Sequence, residues 1–219
     1  MSEIAASYDV ESVNVLTGFK YIAEVIRQRE GKQRFLCGGE ESYGFLVGDI
    51  VRDKDAVIAC CMIAEAAAWA RENGMGLYKL MVQIYEEYGL WVEGLLSITR
   101  KGIEGGEEIR KMMDNFRNNP PKSLDGKTLA RVLDYQAGTD KDMFRHETSQ
   151  IDLPKSNVLQ FILEDGTRIT MRPSGTEPKI KFYFGCPVSL EDTKDYEGKR
   201  AELLERIERI KKEMKLDKG

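Results

Sequence analysis

Four short segments carry residue types at spacings that do chemistry. The first is Arg172-Pro-Ser-Gly-Thr-Glu-Pro178, set between two predicted strands. Arg172 offers a planar fork of donors that fits a phosphate, and Ser174 and Thr176 add hydroxyl donors. Gly175 lets the backbone come close, and consecutive N–H groups can form an anion-binding nest. Pro173 and Pro178 stiffen both ends, which lowers the ordering cost of binding. Lys181 adds positive charge downstream. A rigid surface turn with a solvated Arg is the plainer reading of the same residues. The second segment, Gly39-Glu-Glu-Ser-Tyr-Gly44, follows a short predicted strand. Carboxylates and a hydroxyl beside glycines suit vicinal sugar hydroxyls, since a carboxylate accepts two hydrogen bonds in fixed geometry. A turn with solvated acids is the alternative. The third, Asp53-Lys54-Asp55, precedes an apolar helix, so Asp55 reads as a helix cap. Lys54 either reaches a transferring phosphate or stays solvated. The fourth, Leu16-Thr-Gly-Phe-Lys20, is a strand-to-helix junction, which can bind an anion or simply start a helix.

Composition excludes several functions. The chain has 219 residues, with 33 basic and 37 acidic side chains and a net charge of -4. A slightly acidic chain of this kind lacks the basic excess of a nucleic-acid groove. With 42% hydrophobic residues it has enough for packed cores, and no apolar run reaches the ~20 residues of a membrane helix. The N-terminus has neither the basic start nor the apolar core of a signal peptide, and a cytoplasmic location is expected. Cys37, Cys60, Cys61 and Cys186 contain no C-x-x-C pair and read as buried free thiols in a reducing compartment. The one His, His146, lies in a polar stretch read as a surface loop. A His-based zinc site and a Ser-His-Asp triad are therefore not expected, and no metal ligands are assigned.

The elements that must position these segments follow from periodicity. Residues 4–8 read as the tail of a helix, Val13–Leu16 as a strand, and 19–30 as a helix. Phe35–Cys37 and Phe45–Val47 read as strands. Ala56 to about Arg71 is a helix apolar nearly all round, so much of its surface is expected to be covered. Leu77–Tyr88 is an amphipathic helix. A different texture begins near Leu90: a strand over Trp91–Thr99, a helix from Gly105/Gly106 to Asn118, and a strand over Thr128–Tyr135. Next come a hairpin with Asp165-Gly166 as a two-residue turn and a strand over Lys179–Phe184. A charged helix runs from Leu190 to about Lys215, with Leu203, Leu204, Ile207 and Ile210 as its seam. The expected fold is a partial three-layer α/β domain over 1–90, followed over 91–219 by an α+β domain with helices packed on an antiparallel sheet.

In this order, Thr17-Gly-Phe-Lys20, Gly39-Glu-Glu-Ser42, Asp53-Lys-Asp55 and Arg172–Pro178 resemble the α-D-phosphohexomutase superfamily of phosphoglucomutases and phosphomannomutases. The run Glu-Glu-Ser-Tyr-Gly-Phe-Leu-Val-Gly is similar to the branch that also holds phosphopentomutase-like enzymes. The resemblance implies four domains around one cleft and a reaction that interconverts sugar 1-phosphate and 6-phosphate through a sugar 1,6-bisphosphate. It further implies that Glu40 and Ser42 bind sugar hydroxyls, that Thr17, Gly18 and Phe19 line the sugar site, and that Lys54 serves the catalytic transfer. Arg172, Ser174, Gly175, Thr176 and Lys181 would hold phosphate. The family's phosphoserine loop and its Mg²⁺-binding loop have no counterpart in the chain. It therefore resembles part of the third domain plus the fourth, a fragment expected to be inactive without the N-terminal domains. A non-catalytic phosphosugar-binding module and a scaffold using the C-terminal helix are the other readings.

Overall fold

The computed structural model describes residues 1–40, 43–100 and 102–216. The chain divides into two units, Met1–Ile84 and Tyr85–Gly219.

The first unit contains α1 (Ser2–Ser7), α2 (Phe19–Arg29), β1 (Cys37–Gly39), β2 (Phe45–Val47) and α3 (Ala56–Glu72), with α4 (Leu77–Tyr88) crossing the division. Apolar residues spaced by helical turns give α2 one buried face. Phe19 and Ile26 pack with Leu46 of β2, and Ile22 and Phe35 close around them. Gly18 caps α2 at φ 124°, a backbone region that side-chain-bearing residues rarely adopt. β1 and β2 pair antiparallel, with Gly39 opposite Phe45.

Three expectations change here. Val13–Leu16 is not a strand: among the described residues no other segment pairs with its backbone. The strand predicted at Phe35–Cys37 lies at Cys37–Gly39, so Gly39, read as the start of the turn, belongs to the ladder. α3 does form and is capped by Asp55, whose carboxylate accepts from the amides of Val57 and Ile58 at 3.0 and 3.1 Å. Its surface, however, is not covered: Val57 is 75% exposed, Ile63 61% and Trp69 51%. For the same reason Cys60 and Cys61 are exposed, as is Cys37, and only Cys186 is a buried thiol.

The second unit is an α+β layer. Its sheet runs in the order β3 (Leu90–Thr99), β10 (Lys179–Val188), β9 (Arg168–Pro173), β8 (Leu159–Leu163), β5 (Lys127–Asp134), β6 (Thr139–Asp142), β7 (Glu147–Gln150), with β4 (Ser123–Leu124) on β5. Every described pairing is antiparallel. Strand alternation sorts the faces. Ile180, Phe182, Phe184 and Cys186 of β10, with Ile169 and Met171 of β9, are buried. Against them lie α5 (Gly102–Asn118), through Ile109, Met113 and Phe116, and α6 (Tyr196–Glu213), through Leu203, Ile207 and Ile210. Phe116 meets Phe161 and Phe182 edge-on, each with centroids 6.3 Å apart. Each such ring contributes on the order of 2 kcal/mol by leaving water.

The differences from expectation are local. α5 starts at Gly102, and α6 starts at Tyr196 after a short 3-10 turn whose Asp192 accepts from the Lys194 amide. Leu204 is exposed rather than part of the seam. His146 lies in an exposed turn, as expected, but the polar stretches on either side of it form a hairpin: β6 pairs with β5 and β7 with β6, so main-chain pairing makes strands there without apolar side chains. The turn at Asp165-Gly166 is a three-residue loop. Leu163 N–H bonds the Thr167 carbonyl at 2.9 Å, and within the loop only Gly166 has positive φ.

Candidate functional site

In the first unit, three of the predicted residues meet around one glycine. A Cβ placed on Gly44 would lie 2.7 Å from Phe19 Cε2 and 2.9 Å from both Glu40 Cγ and Lys54 Cγ. The Glu40 amide donates to the Gly44 carbonyl at 3.0 Å, which closes the bend after β1. The Asp55 amide donates to the Phe45 carbonyl at 2.9 Å, which ties the Asp53–Asp55 segment to the start of β2. Glu40 is half-buried, while Lys54 and Thr17 are exposed. Phe19 is buried in the core, so it supports the bend through its ring edge and does not present its side chain to solvent. Ser42 lies outside the described residues.

The electrostatics of this cluster centre on Lys54. Its ammonium is 2.6 Å from Asp53 Oδ1 and 5.1 Å from the Phe19 ring centroid. The Asp53 hydrogen bond, opposed by desolvation and joined by the charges of Asp53 and Glu40, holds the Lys54 ammonium above the ordinary Lys range. Lys54 in turn holds the Asp53 carboxyl below its usual value. A cation fixed in this way stays charged at neutral pH and can face an anionic group. Gly44→Ala is therefore expected to push Glu40 and Lys54 apart, since no neighbour within 3 Å can remain in place. Amide hydrogen exchange is the measurement: residues 39–47 should lose protection, while residues 159–188 keep theirs.

In the second unit, the Arg172–Pro178 segment links β9 to β10, and register places Arg172 opposite Lys181. Lys181 in turn stands opposite Ser97 of β3. Opposed residues on antiparallel strands project to the same face with Cβ atoms about 5 Å apart. Ser97, Lys181 and Arg172 thus form one row on the face away from α5 and α6. The bend itself is braced at both ends. The Ser174 amide donates to the Lys179 carbonyl at 2.8 Å, and the Arg100 amide donates to the Pro178 carbonyl at 2.8 Å. Glu177 and Lys179 form an ion pair that holds the Glu177 carboxyl below its ordinary value.

The interior of the bend differs from a free anion nest. The Thr176 and Glu177 amides turn back onto Ser174 Oγ, at 3.4 and 3.2 Å. The Ser174 hydroxyl therefore accepts twice and keeps its own proton to donate outward. Gly175 is exposed, and a Cβ there would meet nothing within 4 Å. Two supporting residues had no role in the sequence reading. Gly44 had a signal, since it closes the glycine-rich segment. Arg100 had none, because it acts through its backbone on a residue far away in the chain.

The resemblance implies Mg²⁺, but the described residues do not fit that ion. Among the described residues, no three His, Cys, Asp or Glu side chains converge closely enough to hold a metal. No helix of the described residues is long and apolar enough to cross a membrane.

Comparison with known proteins bears on the family and the fold. Residues 1–88 match the family model "Phosphoglucomutase/phosphomannomutase, alpha/beta/alpha domain III", and residues 108–203 match the "C-terminal domain" of the same family. A phosphoglucomutase of Staphylococcus aureus (strain MRSA252) is 42% identical over 186 residues, covering 84% of this chain and 34% of that protein. A second, from strain MSSA476, is 42% identical over 180 residues, with 82% and 32% covered. The chain thus spans about a third of the length of the relatives it matches. Among solved structures, pp63/parafusin (phosphoglucomutase) from Paramecium in its open form superposes with a TM-score of 0.61 at 17% identity. That match covers 95% of this chain and 36% of the other, and it speaks for the fold. With two successive models of one family matched in order, and an α/β unit followed by an α+β unit as that family requires, the chain belongs to the phosphoglucomutase/phosphomannomutase family of α-D-phosphohexomutases.

Proposed function

We propose that the chain is the sugar-recognition and phosphate-binding portion of a phosphohexomutase. In this reading residues 91–219 hold the non-reacting phosphate of a sugar phosphate through Arg172, Ser174, Gly175, Thr176 and Lys181. Residues 1–90 take the sugar through Glu40, Ser42, Thr17 and Gly18, with Phe19 as the packing post behind them and Lys54 facing the transferring phosphate. The observation that supports it most is the row of Arg172 and Lys181 on facing strands. Like charges placed directly opposite are destabilising unless an anion lies between them. A dianionic phosphate ester removes that repulsion and accepts from the guanidinium fork and the Ser174 hydroxyl together.

Phosphoryl transfer depends mostly on positioning and charge stabilisation. Two separate binding bends suit a reaction in which a bisphosphate reorients: one holds whichever phosphate is idle, while the other holds hydroxyls found in both orientations. The phosphoserine donor and the Mg²⁺ ligands belong, in this reading, to the region of the relatives outside the matched third. The chain alone therefore has no mutase activity. A titration of the ¹⁵N-labelled chain with inorganic phosphate and with glucose 6-phosphate tests the binding. Amides of residues 172–177 should shift with millimolar affinity; shifts confined to other residues would refute it. Turnover of glucose 1-phosphate by the pure chain would refute the division of labour.

A further inference from the structure

We propose that the outer edge of β3 is a docking surface for β3 of a second copy of this chain, the two sheets joining about a two-fold axis at Leu95. The inference stands apart from the phosphate-binding reading. Among the described residues β3 is an edge strand, paired only with β10. It is ten residues long, and its register with β10 runs without a bulge. Residues 90–99 hold one charge, Glu93, and no proline. Proteins blunt an open edge with lysines, prolines, bulges or short strands. This edge has none of these. Leu95, at its middle, is 55% exposed. α6 holds the strand in place from the core side, since a Cβ on Gly94 would lie 3.1 Å from Ile207 Cγ2. An edge fixed in this way already has the shape a partner strand needs, so little ordering cost remains.

The ladder fixes which main-chain groups face outward. Opposed residues of an antiparallel pair alternate between hydrogen-bonded and non-hydrogen-bonded positions. The Arg100 amide donates to the Pro178 carbonyl one step beyond the Thr99–Lys179 pair, so the even-numbered residues of β3 turn their groups toward β10. The far side of β10 agrees. There the Ser174 amide donates to the Lys179 carbonyl, so odd-numbered residues of β10 bond β9 and even-numbered ones are left for β3. Trp91, Glu93, Leu95, Ser97 and Thr99 therefore direct their N–H and C=O groups away from the sheet. Among the described residues, no backbone hydrogen bond outside the ladder reaches residues 90–99. Symmetry then selects the partner. When a second β3 is laid antiparallel, only an axis at Leu95 pairs all five outward residues. Leu95 meets Leu95, Glu93 meets Ser97 and Trp91 meets Thr99, and each such pair exchanges two hydrogen bonds. The one charge falls opposite a hydroxyl and not opposite its own copy, while the two exposed Leu95 side chains cover each other. On the core face the same register sets Val92 opposite Ile98, both buried, so the apolar side continues. Such a contact uses one patch on both copies and closes at a dimer.

Light scattering reads the mass of the chain in solution at about 1 mM, where even a weak pairing is populated. Amide hydrogen exchange by NMR reads the edge residue by residue. A dimer is expected. Leu95→Lys, at an exposed position, brings two ammoniums face to face across the axis and should give a monomer with unchanged circular dichroism. Ser97→Glu, which sets a carboxylate opposite Glu93 of the other copy, should do the same. In the parent chain the amides of Trp91, Glu93, Leu95, Ser97 and Thr99 should exchange about tenfold more slowly than in either variant. The even-numbered amides of β3 bond β10 in every case and should not change. A monomeric parent would overturn the proposal, as would an assembly larger than a dimer. So would a dimer that leaves the odd-numbered amides exchanging as in the variants, or one that survives both substitutions. None of these readouts depends on phosphate binding or turnover.

Discussion

Arg172→Gln is expected to weaken phosphate binding by this chain about 10- to 150-fold, the worth of one hydrogen-bonded charged donor at roughly 1.5–3 kcal/mol. Glutamine keeps most of the length and polarity but loses the charge and the two-pronged fork. Lys181→Met should cost less, because an ammonium is a point charge without bidentate geometry. The double variant should show less than the sum of the two, since each single variant already forfeits the relief of their mutual repulsion, which can be lost only once. The amide shifts of residues 172–177 supply the measurement, with urea unfolding as a control. Because Arg172 and Lys181 oppose each other in the ladder, each single variant should also unfold at slightly higher denaturant in phosphate-free buffer. Equal phosphate affinity in Arg172→Gln and the parent chain would remove the basis of the functional reading.

The second large effect is on stability. Arg206, on the buried side of α6, reaches Asp125 at 3.2 Å and Asp165 at 2.6 Å, while Arg209 reaches Asp125 at 2.6 Å. Asp125 is in the turn after β4 and Asp165 in the turn after β8, so one helix clamps two loops far apart in sequence. Arg206→Leu leaves both carboxylates short of a partner in a mostly buried place. The expected loss is about 3 kcal/mol at pH 7 by urea unfolding. The pH dependence gives a second check. Arg209 chiefly, with Arg206, holds the Asp125 carboxyl below its usual value. For Asp165, burial pushes upward, but bonds from Thr167 and Arg206 outweigh it and the net shift is downward. A carboxyl depressed in the folded state stabilises fully above the unfolded pKa near ~3.9 and loses that contribution as pH falls through its folded value. The penalty of Arg206→Leu should therefore shrink as pH drops from about 7 to about 3. A penalty independent of pH would show that lost packing, and not the ion pairs, dominates.

Much of the second unit was readable from the chain because its strands alternate. Lys179–Val188 announces both its strand and its two faces, and Asp165-Gly166 announces a turn. The number of residues in that turn was not readable, since it follows from the register across β8 and β9. The β6–β7 hairpin escaped because its strands are polar on both sides, and only main-chain pairing, of β6 to β5 and of β7 to β6, makes them strands. The first unit misled in a different way. The all-round apolar composition of α3 and the β-branched run Val13–Leu16 pointed to burial and to a strand, and the structure has neither. The site segments were legible as chemistry by residue type. Their supports, Gly44 among Phe19, Glu40 and Lys54 and the Arg100 backbone on Pro178, depend on approach in three dimensions.

The outer hairpin has a bearing on handling the protein. All four residues of β7 are exposed and polar, and Glu147 begins a rim that continues across to Lys141 and Asp142 of β6. A hydrophilic, charged margin is a poor template for another chain's strand. Trimming residues 139–150 would uncover β5, whose Val132 and Leu133 would then stand at an open ladder. Shortened versions of the chain that lack this margin should self-associate into insoluble fibres or particles, even with the bends at Glu40 and Arg172 intact.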